Sequence, residues 1–354
     1  MRVTTLTALS ALFTAPAFAD VPKVVVDIAP VHSLVAKVMQ GVGEPDLLLE
    51  GSASPHGYSM RPSDARALQN SDLLVWVGPG LTPWLEEAQG NLSEEGQSIA
   101  LLGIGESVTF PIRDAIVFAS DDHDEDHDHD HGHDDHDHGH DDHDHTKHDD
   151  HDHDDHDHAK EDDHDHGEHD DHDHDHAEHD HDHSGGLDPH AWLHPENARI
   201  WIGVIAETLS EIDPENAAQY AANAEAAQAE VTLVETEISG TLAGREVSGF
   251  AVYHDAFQYF EQAFGVRTLT SLSGGDGSQP SAARAAVLRD AIGAGQVTCV
   301  FSEPQFADRA LRSVADGSET TVAVLDPLGA VLEPGPDLYP ELLRDIAASI
   351  SECS

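Results

Sequence analysis

Short β-branched or leucine-rich runs recur along the chain, each trailed by a stretch with helical spacing. Val24–Ile28 has the make-up of a buried strand, and Ser33–Gln40 behind it reads as a helix that stops at Gly41. Leu47–Leu49 and Leu73–Val77 are two further runs, with a helix predicted at Pro62–Gln69 between them. The rhythm restarts later, with strands predicted at Phe250–Tyr253, Val297–Phe301 and Thr321–Leu325. Helices are predicted at Asn197–Ile212, Ala256–Phe264 and Ser281–Ala294, from about Phe306, and at Leu338–Ile350. Apolar runs alternating with helices point to parallel sheets with crossover helices.

Between the two series, Asp213-Pro214-Glu215 opens a stretch rich in Ala, Glu and Gln with no further Gly or Pro until Gly240. Asp at a cap, Pro at the first helical position and Glu in the first turn are start signals. One helix of about 25 residues or more, roughly 40 Å long, is predicted. The expected fold is therefore α/β: two (β/α) lobes with parallel sheets, 20–212 and 244–354, joined by a long rigid helix over 213–243.

Two segments fall outside this pattern. Met1-Arg2, the apolar run Leu6–Phe13 and Ala17-Phe18-Ala19 have the layout of a cleavable signal peptide over residues 1–19. No cysteine follows the cleavage site to accept a lipid, so a soluble periplasmic protein is expected. The second segment, 121–183, carries 31 acidic residues against two lysines, a net of −29 out of −53 for the chain, and 24 of the 29 histidines. With no apolar residues to bury and dense like charge, it is expected to be a disordered metal-binding loop within the first lobe.

Charge and cysteines narrow the function. So large an acidic excess excludes nucleic acid, whose phosphates require Lys and Arg, and favours cationic partners. Cys299 and Cys353 are the only two cysteines. In an oxidising compartment such a pair is expected to form a disulfide, contributing about 4 kcal/mol in the chain-entropy account.

Outside the acidic segment five histidines remain: His32, His56, His190, His194 and His254. His56 lies in Ser54-Pro55-His56-Gly57-Tyr58, past Leu47–Leu49; His190 lies in Asp188-Pro189-His190-Ala191-Trp192; His254 follows Phe250–Tyr253. One histidine at a strand end is ordinarily a surface or capping residue. Open α/β sheets, however, bind ligands outside the carboxyl ends of their strands, and three imidazoles with an open fourth position form a recognised zinc arrangement. A shared metal site in the cleft between the lobes is the competing reading. His194 precedes Pro195 and is expected at a helix entry; His32 is expected at a helix start near the cleft. His190-Ala191-Trp192-Leu193-His194 lacks the glutamate of H-E-x-x-H, so it offers no zinc-protease base.

Pro55-His56-Gly57-Tyr58 with Arg61-Pro62-Ser63-Asp64, Asp188-Pro189-His190-Ala191-Trp192-Leu193, and His254-Asp255-Ala256-Phe257-Gln258-Tyr259-Phe260 resemble three ligand loops of one family. That family is the metal-binding lipoprotein and zinc-uptake group of ABC-transporter binding proteins. Phe301-Ser302-Glu303-Pro304-Gln305 and Leu325-Asp326-Pro327-Leu328-Gly329 are similar to its later signatures, and the acidic histidine block is similar to that of its zinc branch. The ordered set runs from about residue 24 to the C-terminus. The resemblance implies His56, His190 and His254 as ligands of Zn2+, carried as cargo. It implies Asp326 or water at the fourth position, with Asp326 preferred, because Pro55 stands where zinc-uptake relatives often have a ligating glutamate. Implied partners are an inner-membrane ABC permease and periplasmic zinc chaperones, with the chain acting as a monomer. A nitrogen-rich site suits zinc over manganese. A zinc-dependent hydrolase and a metal-buffering storage protein acting through the histidine segment are the alternatives.

Overall fold

The structure is a computed structural model that describes residues 21–89, 96–118, 186–244 and 249–353. The expected signal peptide and the acidic histidine segment lie outside these residues.

Two four-stranded parallel sheets organise the chain. The first holds β1 (Val24–Val26), β2 (Asp46–Leu47), β3 (Leu73–Trp76) and β4 (Gln97–Ala100), in the order β2-β1-β3-β4. The second holds β5 (Phe250–His254), β6 (Thr268–Ser273), β7 (Cys299–Ser302) and β8 (Thr321–Val324), in the equivalent order β6-β5-β7-β8. In each sheet the order reverses beside its first strand, between β1 and β3 and between β5 and β7. Such switch points open a crevice at the carboxyl ends of the strands.

The central strands are apolar throughout because both of their faces are covered. On β1 and β3, Val24, Val26, Leu73 and Val75 face one core, while Val25, Leu74 and Trp76 face another, beneath α2 (Pro62–Gln69) and α3 (Pro83–Ala88). On β5 and β7, Phe250, Val252, Cys299 and Phe301 share the first core, and Ala251, Tyr253 and Val300 pack with Leu288 of α7 (Ala282–Gly293) and Leu311 of α8 (Arg309–Ala315). Period-two alternation thus sends successive residues into different layers.

The inner faces of both sheets meet one continuous core built on four helices: α1 (Ala29–Val38), α4 (Pro195–Ile212), α5 (Ala217–Leu242) and α9 (Leu338–Glu352). The long α5 presents Tyr220, Ala224, Ala227, Val231, Val234, Ile238 and Leu242 to it, the spacing of a helix with one buried stripe. It begins at Ala217 rather than at Pro214. Asp213 accepts from Asn216 Nδ2 at 2.7 Å and from the Tyr220 hydroxyl at 2.9 Å, which holds 213–216 as a turn closing α4 before the new helix starts.

The Cys299–Cys353 disulfide is present and ties β7 to the end of α9. Strands β4 and β6 were not foreseen, and His254 ends β5 instead of following it. Among the described residues, no helix is long and apolar enough to cross a membrane.

A short ribbon crosses between the lobes. Residues 110–112 run antiparallel to 186–188, with Ile112 N donating to Gly186 O and Asp188 N to Phe110 O, each at 2.9 Å. Beyond it the chain lies on the edge of β6, where Phe118 N donates to Leu269 O at 3.0 Å and Thr270 Oγ1 donates to Ile116 O.

Candidate metal centre

Three backbone settings deliver the histidines. His56 sits in the loop after β2. There Trp84 Nε1 donates to Pro55 O at 3.0 Å, and the Tyr58 hydroxyl donates to Asp64 at 2.7 Å. Asp64 also accepts from Arg61 N at 2.7 Å at the start of α2, so the Pro-His-Gly-Tyr and Arg-Pro-Ser-Asp motifs form one pinned unit. His190 opens the helical turn Ala191–Leu193, which runs into α4. His254 ends β5 at the switch point of the second sheet.

Their Nε2 atoms converge: His190 Nε2 lies 3.4 Å from that of His56 and 3.2 Å from that of His254. One ligand atom from each ring falls within 4.8 Å of the others. Tetrahedral zinc with Zn–N bonds of about 2.0–2.1 Å makes nitrogen–nitrogen edges of about 3.3 Å. The two edges that meet at His190 match that length, and the third pair of ligand atoms lies within 4.8 Å.

Carboxylates behind two rings fix which nitrogen faces the centre. Asp188 Oδ1 lies 2.7 Å from His190 Nδ1 and also accepts from His190 N at 3.0 Å. Glu303, just past β7, places Oε2 at 2.6 Å from His254 Nδ1, while its Oε1 accepts from His254 N at 2.9 Å. With each ring proton on Nδ1, the Nε2 lone pairs point at one spot. This carboxylate–histidine pairing is the usual outer shell of a metal site and raises ligand basicity.

Protonation follows from burial and neighbours. Burial, with repulsion from His190 and His254, depresses His56 to about 2. Burial and His254 hold His190 well below its ordinary value. Burial also works against the charged form of His254, but Glu303 outweighs it and raises that ring. Asp188 is pushed up to about 7 by burial, against the pull of His190 N and of Arg113. At neutral pH and above, His56 and His190 are therefore neutral, the form that binds metal.

A buried ion cluster braces the site. Arg113, in the segment leaving the ribbon, pairs with Asp255, the residue after His254, and with Glu261 of α6 (Gln258–Phe264) at 2.9 Å; its guanidinium also lies 3.8 Å over the Phe118 ring. Trp192 packs 5.3 Å from the His190 ring and Phe306 5.0 Å from that of His254, forming the walls. Gly277 (φ +63°) closes one side, since a Cβ there would fall 2.8 Å from the Phe306 ring and 3.5 Å from His56. The cavity that remains is about 10 Å³, against roughly 300–1,000 Å³ for sites that take organic ligands.

The other expected residues lie elsewhere. Asp326 does not join the three imidazoles: its carboxylate accepts from Leu328 N at 3.0 Å, Ala330 N at 2.6 Å and Gln305 Nε2 at 2.9 Å. Among the described residues its carboxylate lies outside the group of ligand atoms that the three rings form. His194 caps α4, accepting from Glu196 N, and His32 contacts Pro45 O from within α1. Tyr58 packs at a tilt against Trp84, and Tyr253 stacks on Phe306, one layer behind the wall. Sequence reasoning assigned no role to Asp188, Glu303 or Arg113. The first two stood in quoted motifs, but nothing in the sequence marked Arg113.

The family described as zinc-uptake complex component A, periplasmic, matches residues 24–353. The chain is 42% identical over 356 residues to the high-affinity zinc uptake system protein ZnuA of Paracoccus denitrificans, covering all of this chain and 98% of that one. It is 41% identical over 331 residues to the protein of the same name from Brucella abortus, covering 93% and 91% of the two chains. Its fold is similar to a crystal structure of ZnuA (TM-score 0.66, 21% identity, 94% and 99% covered). It is similar too to the periplasmic zinc binding protein TroA of Treponema pallidum (TM-score 0.66, 15% identity, 94% and 98% covered).

Proposed function

The chain belongs to the periplasmic zinc-uptake complex component A family, and on that premise we propose that it captures Zn2+ in the periplasm and delivers it to an ABC permease for high-affinity uptake. His56, His190 and His254 hold the ion in the crevice between the lobes. The observation that carries this reading is the convergence of the His56 and His254 Nε2 atoms on that of His190, at 3.4 and 3.2 Å, with two of the three rings backed by carboxylates, around an atom-sized cavity. Neutral nitrogen ligands select zinc over harder cations such as manganese or magnesium.

Binding rather than catalysis is supported by how the nearby acids are used. Asp188 and Glu303 sit on the far side of the rings, at Nδ1, where they strengthen retention of an ion. The long α5, packed along both lobes, favours a restrained closure over a wide hinge. Zinc is cargo here, so release at the permease requires the rings to part. The chain acts as a monomer in this scheme, and accessory zinc chaperones are compatible with it.

Zinc titration of the metal-free protein tests the reading. One tight site is expected, surviving deletion of residues 121–183 and lost in His190→Ala. Loss of tight binding with the deletion alone would assign the affinity to the acidic segment and overturn the assignment.

A further inference from the structure

Gln305 lines the same cavity as the three histidines, from the loop between β7 and α8. Its amide is oriented by chemistry that leaves no choice. Nε2 donates to Asp326 Oδ1 at 2.9 Å, and a carboxylate can only accept, so the amide oxygen must point the other way. That Oε1 is shut off from solvent and has no protein donor among the described residues. Buried acceptors are rarely left unmatched.

Asp326, in turn, is immobilised. Leu328 N and Ala330 N donate to its two oxygens, so the carboxylate is a fixed post for Gln305 rather than a mobile arm. Three imidazoles occupy three corners of a tetrahedron, and the fourth corner of such a site commonly holds a water. A water bound to zinc has two hydrogens to donate, and the unmatched amide oxygen of a residue that lines the cavity is a ready acceptor.

We infer that Gln305 governs the fourth coordination position: its Oε1 accepts from a water that completes the zinc shell, and Asp326 acts one step behind, setting the direction of the amide. This rests on the three-histidine zinc site proposed above. Asp326 then matters for zinc without touching it.

The test uses the full chain and zinc alone, with Gln305→Met, Asp326→Asn, the double variant and His190→Ala. Gln305→Met keeps the side-chain length but removes the acceptor. Its zinc dissociation constant should rise 10- to 100-fold, in the range of lost outer-shell partners. The visible absorption of the Co2+-loaded protein, which reports the donor set, should shift, while the melting temperature of the metal-free protein stays near that of the parent. Asp326→Asn replaces one accepting oxygen with a donor, so Leu328 N, Ala330 N and Gln305 Nε2 can no longer all be matched, and zinc should weaken by no more than in Gln305→Met. The double variant should be no weaker than Gln305→Met, because both changes act through one amide. A Gln305→Met protein within twofold of the parent, with an unchanged cobalt spectrum, overturns the inference. So does an Asp326→Asn loss that adds fully to that of Gln305→Met, which would make Asp326 an independent ligand. If His190→Ala retains the tight site, the zinc-site reading itself has failed, whatever Gln305 does.

Discussion

Glu303→Gln is a near-isosteric change whose effect follows from two distances. Both carboxylate oxygens serve His254: Oε2 stands 2.6 Å from Nδ1 and Oε1 accepts from the backbone N at 2.9 Å. A glutamine has one acceptor and one donor group for these two donors. If its NH2 faces Nδ1, the ring proton must move to Nε2, and the lone pair that meets zinc is lost. If it faces the backbone N–H, two donors collide. Either arrangement forfeits a charge-assisted contact of about 1.5–3 kcal/mol, so zinc affinity should fall about 10- to 100-fold. Competition against a chelator, measured at pH 8, reads this directly. The pH profile adds a sign. Glu303 is what raises the proton affinity of His254, against burial. In the parent protein that proton competes with zinc as pH falls, while His56 and His190 stay neutral far lower. Affinity should therefore drop about tenfold per pH unit on the acid side, the slope of one proton. In Glu303→Gln the drop starts at lower pH, and the two curves converge on acidification. Equal affinities at pH 8, or a gap that widens toward pH 6, would refute the reasoning.

Three further outcomes are expected. Arg113→Met leaves Asp255 and Glu261 buried without their cation, which should cost about 3–5 kcal/mol in urea unfolding; adding Asp255→Asn and Glu261→Gln should recover most of it, and a single variant as stable as the parent would count against the cluster. Reducing Cys299–Cys353, which closes a 54-residue separation, should lower stability by about 4 kcal/mol and leave zinc affinity within a few-fold, as compared by unfolding and titration with and without reductant. Zinc at 100 times its dissociation constant should stabilise the protein by about 2.7 kcal/mol, and a chelator or His190→Ala should abolish that increment in calorimetry.

The interior of the fold was legible because β1, β3, β5 and β7 are covered on both faces and so read as unbroken apolar runs. The missed strands are at sheet edges. β4 (Gln-Ser-Ile-Ala) is half exposed and carries little periodicity. β6 (Thr-Leu-Thr-Ser-Leu-Ser) is nearly all buried, yet polar residues interrupt its apolar run: Ser271 accepts from Arg284, Ser273 donates to Ser278 O, and Thr270 donates to Ile116 O. That contact joins residues 154 apart in sequence, beyond the reach of any local pattern. The same distance rule divides the site. The histidines could be read because each follows a strand or a turn motif. Glu303 could not, since its partner lies 49 residues away. Asp326, which motif position suggested as a ligand, is engaged by its own turn and by Gln305. Aspartate side chains accept from their own backbone two residues on in such turns, as Asp326 does from Leu328 N.

The ribbon of 110–112 and 186–188, with 113–118 anchored beyond it by Arg113 and along β6, makes the chain after Phe118 interchangeable. Because the ribbon and the strip along β6 are both held by backbone hydrogen bonds, whatever runs from Phe118 to Gly186 begins and ends at fixed points. Each doubling of such a loop costs only about 0.6 kcal/mol in closure entropy. The run after Phe118 can thus be lengthened, shortened or recomposed as a cassette, while Arg113, the strip along β6 and the coordination chemistry two residues past the ribbon, at His190, are left undisturbed.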